Sequence, residues 1–455
     1  MRDQLGAAQL AAGDRRTLFE RGEVVEVRHA SILPGYGVGV SVDRRTQAQR
    51  LDAADPLAAF RDEFVIGEPD LVYLDGNSLG RLPRVTRDRL RAAVDEEWGV
   101  DLVRGWDRWI ALAREAGEVL ATGVLGADPG EVLLADSTSV NLYKLAVAAC
   151  DARPGRRVIV TDDDNFPTDR YVLEGVAAAR DLTLRVIRSD LDTGVSIAAV
   201  REALDDDVAL VSLSHVAYRS GAIADVDAIT RAVHDAGALM LWDLCHSAGA
   251  VPVPLRSAGV DLAVGCTYKH LNAGPGAPAF LYVRSDLQAE LRQPIWGWFG
   301  QRDQFAMGPA YDPAPSMDRF LVGTPPVLGG YAALCGATLS ASAGIDRIFA
   351  KSTALGDFAI ELFDEWLAPH GFALASPRSG RGAHVTLHHH GAWQISQALR
   401  EASVIPDYRT PDRLRLGLAP LYTRFADVYE GLDRLRTIME AESWRRFSAN
   451  RSRVT

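Results

Sequence analysis

With 455 residues, 47% hydrophobic and 24% charged, the chain is long enough to bury a large core and to build two domains. A formal charge of -11 and the lack of any long Lys/Arg run argue against a nucleic-acid surface. No uninterrupted apolar stretch reaches the roughly 18 to 20 residues of a membrane span, and the four scattered cysteines form no CxxC pattern, so a cytoplasmic protein with free thiols is expected. Residues 1–50 mix charges, glycine and small residues and are expected to form a poorly ordered or peripheral extension. Residues 51–330 read as a large α/β domain with an N-terminal arm, and residues 331–455 as a smaller α+β domain.

The arm opens with a short amphipathic helix in PLAAFRDEF and a strand in VYLDGNSLG that stops on an Asp-Gly-Asn turn. Ser78, in that turn, suits a helix N-cap or turn as well as a ligand contact. The spacing of Leu90, Val94, Trp98, Ile110, Leu112 and Leu120 predicts two helices interrupted near Gly99 to Trp106. EVLLADSTSVNLYKLAVAA is a strand that enters a helix through Asp136 to Ser139. Hydroxyls and free backbone amides at a helix start bind phosphate, so Thr138 and Ser139 are phosphate-ligand candidates, with simple capping as the alternative. From Arg157 the chain alternates RVIVT, TLRVIR, VALVSLS and LMLWD with helical segments, the pattern of a mainly parallel sheet covered on both faces, which LAVGC and AFLYV continue. Such a sheet collects its ligands at one edge.

Two stretches at that edge carry the chemistry. LMLWDLCHSAG ends an apolar run on Asp243, with His246 close behind, and DLAVGCTYKHLNAGPG carries Lys269 to the end of another before breaking into glycine and proline. A buried carboxylate that keeps a pyridine nitrogen protonated and a lysine that holds an aldehyde as an imine are what pyridoxal phosphate requires. Phe166, after RVIVT, is then placed to lie on the pyridine ring, with Pro167, Thr168 and Asp169 on the same loop, and Ser214 reaches the same edge. After about Gly330 a long helical stretch leads to AHVTLHH, a helix over Trp393 to Ala402, the strand RLRLGLAP and a last helix near Phe425 to Ala441. Arg415, on an alternating strand, offers a guanidinium of the kind that grips an amino-acid carboxylate, or is an exposed strand arginine.

The segments YLDGNSLG, NFPTD, WDLCHSAGAVPV, CTYKHLNAGPG, GWFG and GTPP, in that order, resemble the motif series of kynureninase from about Leu51 to the C-terminus. The resemblance implies a fold-type-I homodimer dependent on pyridoxal 5'-phosphate, with a catalytic Lys269, that hydrolyses L-kynurenine to anthranilate and L-alanine. It also implies that Ser78 and Arg415 contact substrate, that Ser214 and His246 contact cofactor, and that Tyr268 binds its phosphate and takes part in proton transfer. Trp106 would cover the substrate ring, leaving little room for a ring hydroxyl and favouring kynurenine over 3-hydroxykynurenine; Trp298 and Thr324 would cross to the partner's site. His270 departs from the family's usual tyrosine, and a neighbour of the lysine on a strand is expected to point away from it. The long extension raises the alternative of a related lyase acting on a substituted kynurenine in a specialised pathway. A cysteine desulfurase-like lyase and a non-catalytic cofactor-binding protein are the remaining rivals.

Overall fold

The computed structural model describes residues 43–450, so the reading placed on residues 1–42 lies outside the described residues. In chain order the strands are β1 (Val72–Leu74), β2 (Val132–Ala135), β3 (Val158–Asp162), β4 (Thr183–Ile187), β5 (Val208–Ser214) and β6 (Leu239–Asp243). They continue with β7 (Leu262–Gly265), β8 (Ala279–Val283), β9 (Ala373–Leu374), β10 (His384–His388), β11 (Val404–Arg409) and β12 (Arg413–Gly417).

The larger sheet runs β2-β8-β7-β6-β5-β3-β4. Strands β4, β3, β5, β6 and β7 are parallel, and β8 pairs antiparallel with both β7 and β2. The sheet is therefore mainly parallel, with an antiparallel edge where AFLYV returns from β7 without a crossover helix. Period-two alternation divides its residues between two cores. Val158, Val160, Val211, Leu213, Met240 and Trp242 pack on one face, and Ile159, Leu210, Leu239 and Leu241 on the other. The helix Val226–Asp235 covers the first face with Ile229 and Val233, and the helix Thr138–Asp151 covers the second with Leu142 and Leu145. No single helix among the described residues is long and apolar enough to cross a membrane.

The smaller sheet runs β1-β11-β12-β10-β9, with β1 parallel to β11. Strand β1 thus belongs to the smaller sheet, although its sequence lies in the arm assigned to the large domain. The boundary drawn at residue 50 also falls inside the helix Arg44–Ala53, so residues 44–50 are helical and attached. Buried Ala48 joins Val72, Leu74, Val404, Leu414 and Leu416 in one core, because Val72 and Leu74 alternate inward and need an apolar cover. The smaller layer therefore draws on both ends of the described chain and faces the strand ends where β5 and β6 stop.

Candidate active site

Lys269 does not sit on a strand end. It lies in a turn beyond Gly265, the last residue of β7, and the strand alternation expected to point His270 away from it does not apply. The turn is pinned from the arm: Gly80 N–H donates to the Tyr268 carbonyl at 2.9 Å, and a Cβ at Gly80 would fall 2.3 Å from the Lys269 carbonyl oxygen. Glycine is required there for the close approach. The amine Nζ lies 3.1 Å from His246 Nε2 and 5.9 Å from the ring centres of both Phe166 and Tyr268.

These groups line a cavity of about 190 Å³ together with Thr138, Ser139, Thr168, Asp169, Ser214, Tyr218, Asp243 and Cys245. Ser137 caps the helix Thr138–Asp151 by accepting from Val140 N–H at 3.4 Å, which leaves Thr138 and Ser139 in its first turn, facing the cavity. Asp243 ends β6 and is 6% exposed; its Oδ1 accepts the Cys245 N–H at 2.7 Å. Beside it, burial and then the Asp243 carboxylate push Asp169 well above the usual carboxylate range. Asp169 Oδ2 is buried without a protein partner.

Asn165 organises the loop after β3. Its Oδ1 accepts from Phe166 N–H and from the Ser214 hydroxyl, both at 2.8 Å. Phe166 is the N-cap residue of the helix Pro167–Arg180, and its ring meets Tyr218 edge-on at 5.3 Å. Pro167 occupies the first helical position, where its missing N–H costs nothing; it shapes the loop and does not line the cavity. Burial raises the Tyr268 phenol, so it stays protonated, and holds the His246 imidazole far below its ordinary value, an effect that nearby Lys269 adds to.

Arg415 and Ser78 stand behind the cavity wall. Strand β12 sets Arg415 opposite Asp407 of β11, and its fully buried guanidinium bonds to the Asp407 carboxylate and to the carbonyl of Tyr218, itself a wall residue. Nη2 donates to Ser78 Oγ at 3.2 Å, and Arg409 donates to the same hydroxyl at 3.3 Å. The exposed-arginine reading is overturned, and hydrogen-bonding capacity remains on Nη1.

Trp106, Trp298 and Thr324 do not line the cavity of their own chain. Trp106 packs 6.0 Å from Phe299 and 5.5 Å from Trp109, while Trp298 is 39% exposed and Thr324 is exposed. Tyr218, Cys245 and Asp407 were not anticipated. Asp407 carried a signal, since VIPDYR offers an acid across from RLRLG, but Pro406 disguised the strand.

A kynureninase C-terminal domain profile matches residues 348–435. The chain is 44% identical over 411 residues to a protein of Burkholderia pseudomallei (strain 1106a) named kynureninase, covering 88% of this chain and 97% of that one. A kynureninase of Pseudomonas fluorescens is 42% identical over 410 residues, covering 88% and 96%. Among solved structures, an apo cysteine desulfurase of Thermococcus onnurineus NA1 superposes with a TM-score of 0.73 at 18% identity, over 84% of this chain and 98% of that one. A C-DES variant with glycine covalently linked to its PLP cofactor gives 0.72 at 20% identity, over 83% and 98%. These structural likenesses extend to the fold.

Proposed function

The chain belongs to the kynureninase family, and from that premise we propose that the cavity around Lys269 is where L-kynurenine is hydrolysed to anthranilate and L-alanine with pyridoxal 5'-phosphate as cofactor. One observation carries the reading: a helix-start hydroxyl pair, a strand-end carboxylate and a lysine amine line a single cavity in a chain 44% identical to a kynureninase.

The donor set fits the cofactor. Thr138 and Ser139 offer hydroxyls and backbone amides to a phosphate, and Asp243, with Asp169 beside it, offers a carboxylate to a ring nitrogen. Phe166 would supply an aromatic wall to the cofactor, Thr168, Ser214 and His246 line the cavity that would hold it, and Lys269 would hold its aldehyde. When bound, the cofactor supplies an electron sink for the pairs left as bonds at Cα and Cβ of the amino acid break.

Arg415 holds the substrate carboxylate through Nη1, with Ser78 beside it. Asp407 and the Tyr218 carbonyl fix the orientation of the guanidinium behind the cavity wall. Lys269 Nζ moves the α-proton, and His246, kept neutral by burial, accepts from the amine without competing for its charge. The Tyr268 phenol, kept protonated by burial, would donate at Oη to the cofactor phosphate and serve as a proton source during cleavage. Water adds to the aryl ketone and appears in the carboxylate of anthranilate, which balances the hydrolysis. Unsubstituted kynurenine is preferred to 3-hydroxykynurenine on the strength of the tryptophan at position 106, although Trp106 packs against Trp109 and Phe299 outside this cavity. Trp298 and Thr324 complete the partner's site in a homodimer; Trp296, Phe305 and Met307, at 64%, 70% and 71% exposure, give the Trp298 loop an apolar surface suited to burial against a second copy.

The test is product release from L-kynurenine and from 3-hydroxy-L-kynurenine, followed by anthranilate and hydroxyanthranilate fluorescence. Higher kcat/KM for kynurenine, with a loss of roughly a hundredfold or more in Lys269→Ala, is expected. Absence of product from both substrates in cofactor-loaded protein would overturn the assignment.

A further inference from the structure

Three histidines gather behind Lys269, and the mechanism above uses one of them. His246 lies in the turn after β6, His270 in the turn after β7, and His384 begins β10 of the smaller sheet. They are 6%, 5% and 1% exposed. The His246 ring centre is 5.6 Å from that of His384 and 6.4 Å from that of His270. Gly249 lets the His246 turn close on its neighbour: its φ is +83°, and a Cβ there would lie 3.2 Å from the carbonyl carbon of His270.

Of the six ring nitrogens, His246 Nε2 meets Lys269 and the other five have no protein partner. Buried polar atoms are rarely left so, and five in one cluster, across two layers of the fold, call for buried water as their partner. A shared metal ion is not the explanation, since no group of His, Cys, Asp or Glu among the described residues is arranged to hold one. An anionic side chain is not available either. The charged groups acting on the three rings are Lys269 from the β7 turn, Arg415 from β12 and Arg409 from β11, all cationic. Burial first, and these cations after it, hold each imidazole neutral; His270 is lowered to about 3. A neutral imidazole carries one donor and one acceptor nitrogen, so each ring can accept a proton on one side while releasing one on the other. The rings make no direct hydrogen bond with one another, and their unpartnered nitrogens can each be satisfied by a bridging water.

We propose that His246, His384 and His270 enclose a short chain of buried waters that connects the Lys269 amine to exchangeable protons during catalysis. A proton leaving Lys269 Nζ enters His246 at Nε2 as the Nδ1 proton passes to the adjoining water. The ring reverses tautomer, remains neutral, and no electrons change hands. His384 and His270 act as positioning residues for that water chain, and the histidine at 270, where the resembled family usually has tyrosine, gives this chain's chamber two ring nitrogens at that wall.

The inference rests on the kynureninase reading, and the experiment separates the two. Holoenzyme is incubated with L-alanine in deuterium oxide, and deuterium entry at Cα is followed by proton NMR in wild type, His384→Phe, His270→Phe, His384→Gln and His270→Asn. L-Alanine affinity is measured in parallel from the visible absorbance of the cofactor. Both Phe variants are expected to bind L-alanine normally and exchange roughly tenfold more slowly, with the Gln and Asn variants recovering most of the rate. A high-resolution crystal structure of the wild-type holoenzyme should show waters bonded to the His246, His384 and His270 nitrogens. Exchange within about twofold of wild type in cofactor-loaded Phe variants, or a dry chamber in that crystal, would overturn the relay. The crystal decides the question if the Phe variants fail to fold. Wild type that neither exchanges L-alanine nor cleaves kynurenine would instead overturn the underlying functional reading.

Discussion

At the scale of single residues, burial in this site is used to choose protonation states. Tyr268 and Asp169 are held protonated and His246 neutral, in each case with burial as the largest cause. The same economy has a cost in acid that His215 makes measurable. His215 is 3% exposed, packs 6.2 Å from Trp242, and burial alone lowers it to about 4 from the 6.5 of a free histidine. Between those values the unfolded chain binds a proton that the folded chain does not. The penalty is absent well above pH 6.5 and grows as pH falls towards 4, by at most about 1.4 kcal/mol per pH unit. In urea unfolding at about pH 7 and about pH 5, wild type should lose stability relative to His215→Phe on acidification. A pH-independent difference would contradict the buried-neutral assignment. Asp243, Thr138 and Ser139 were legible because they end a strand or start a helix, and Lys269 because it follows an apolar run closely; all four line the cavity. Tyr218 was not legible, because its contributions are a carbonyl to Arg415 and an edge-on ring to Phe166, and neither leaves a pattern in the sequence.

At the scale of elements, the site depends on how strands turn into helices and loops. Asp136 joins β2 to the helix Thr138–Asp151 at φ +44°, a backbone region that costs a non-glycine residue energy. Fully buried Lys144, one helical stretch further on, holds it there: Nζ donates to Asp136 Oδ2 at 2.6 Å and to the Phe320 carbonyl at 2.8 Å. Lys144→Met should lower unfolding stability by about 1–3 kcal/mol, less than a wholly buried pair because Asp136 is partly exposed, and should weaken cofactor affinity in absorbance titrations. Unchanged affinity would show that the first turn keeps its shape without the lysine. The helical and strand spans of the larger sheet followed the apolar periodicity closely. What periodicity could not give was β11. Pro406 argues against a strand, yet it falls at the end of the pairing with β1, opposite Leu74, and just before the pairing with β12 begins at Asp407. Missing that strand concealed the partner of Arg415. Taking the Lys269 turn for a strand end similarly hid His270 from the cluster it joins.

At the scale of the whole molecule, the smaller sheet supplies Arg415, Asp407 and His384, and the larger supplies the cavity walls, so the two layers meet across the site. The parallel order of the larger sheet was legible because parallel strands buried on both faces read as apolar runs between helices. The contribution of β1 and the helix Arg44–Ala53 to the smaller layer was not, since that pairing spans nearly the whole chain and no local pattern encodes it. Assembly has its own test. If Trp298 serves the partner's cavity, mixing Lys269→Ala with Trp298→Ala under subunit exchange should restore up to about a quarter of wild-type activity, because half of the dimers then carry one intact site. No recovery, with exchange verified, would place Trp298 in its own chain's chemistry. The account as a whole stands on Lys269, and borohydride reduction of the cofactor-loaded protein followed by peptide mass mapping tests it most directly. The pyridoxyl mass is expected on the peptide that contains Lys269; finding it on Lys144 or Lys351, the only other lysines in the sequence, would contradict the site described here.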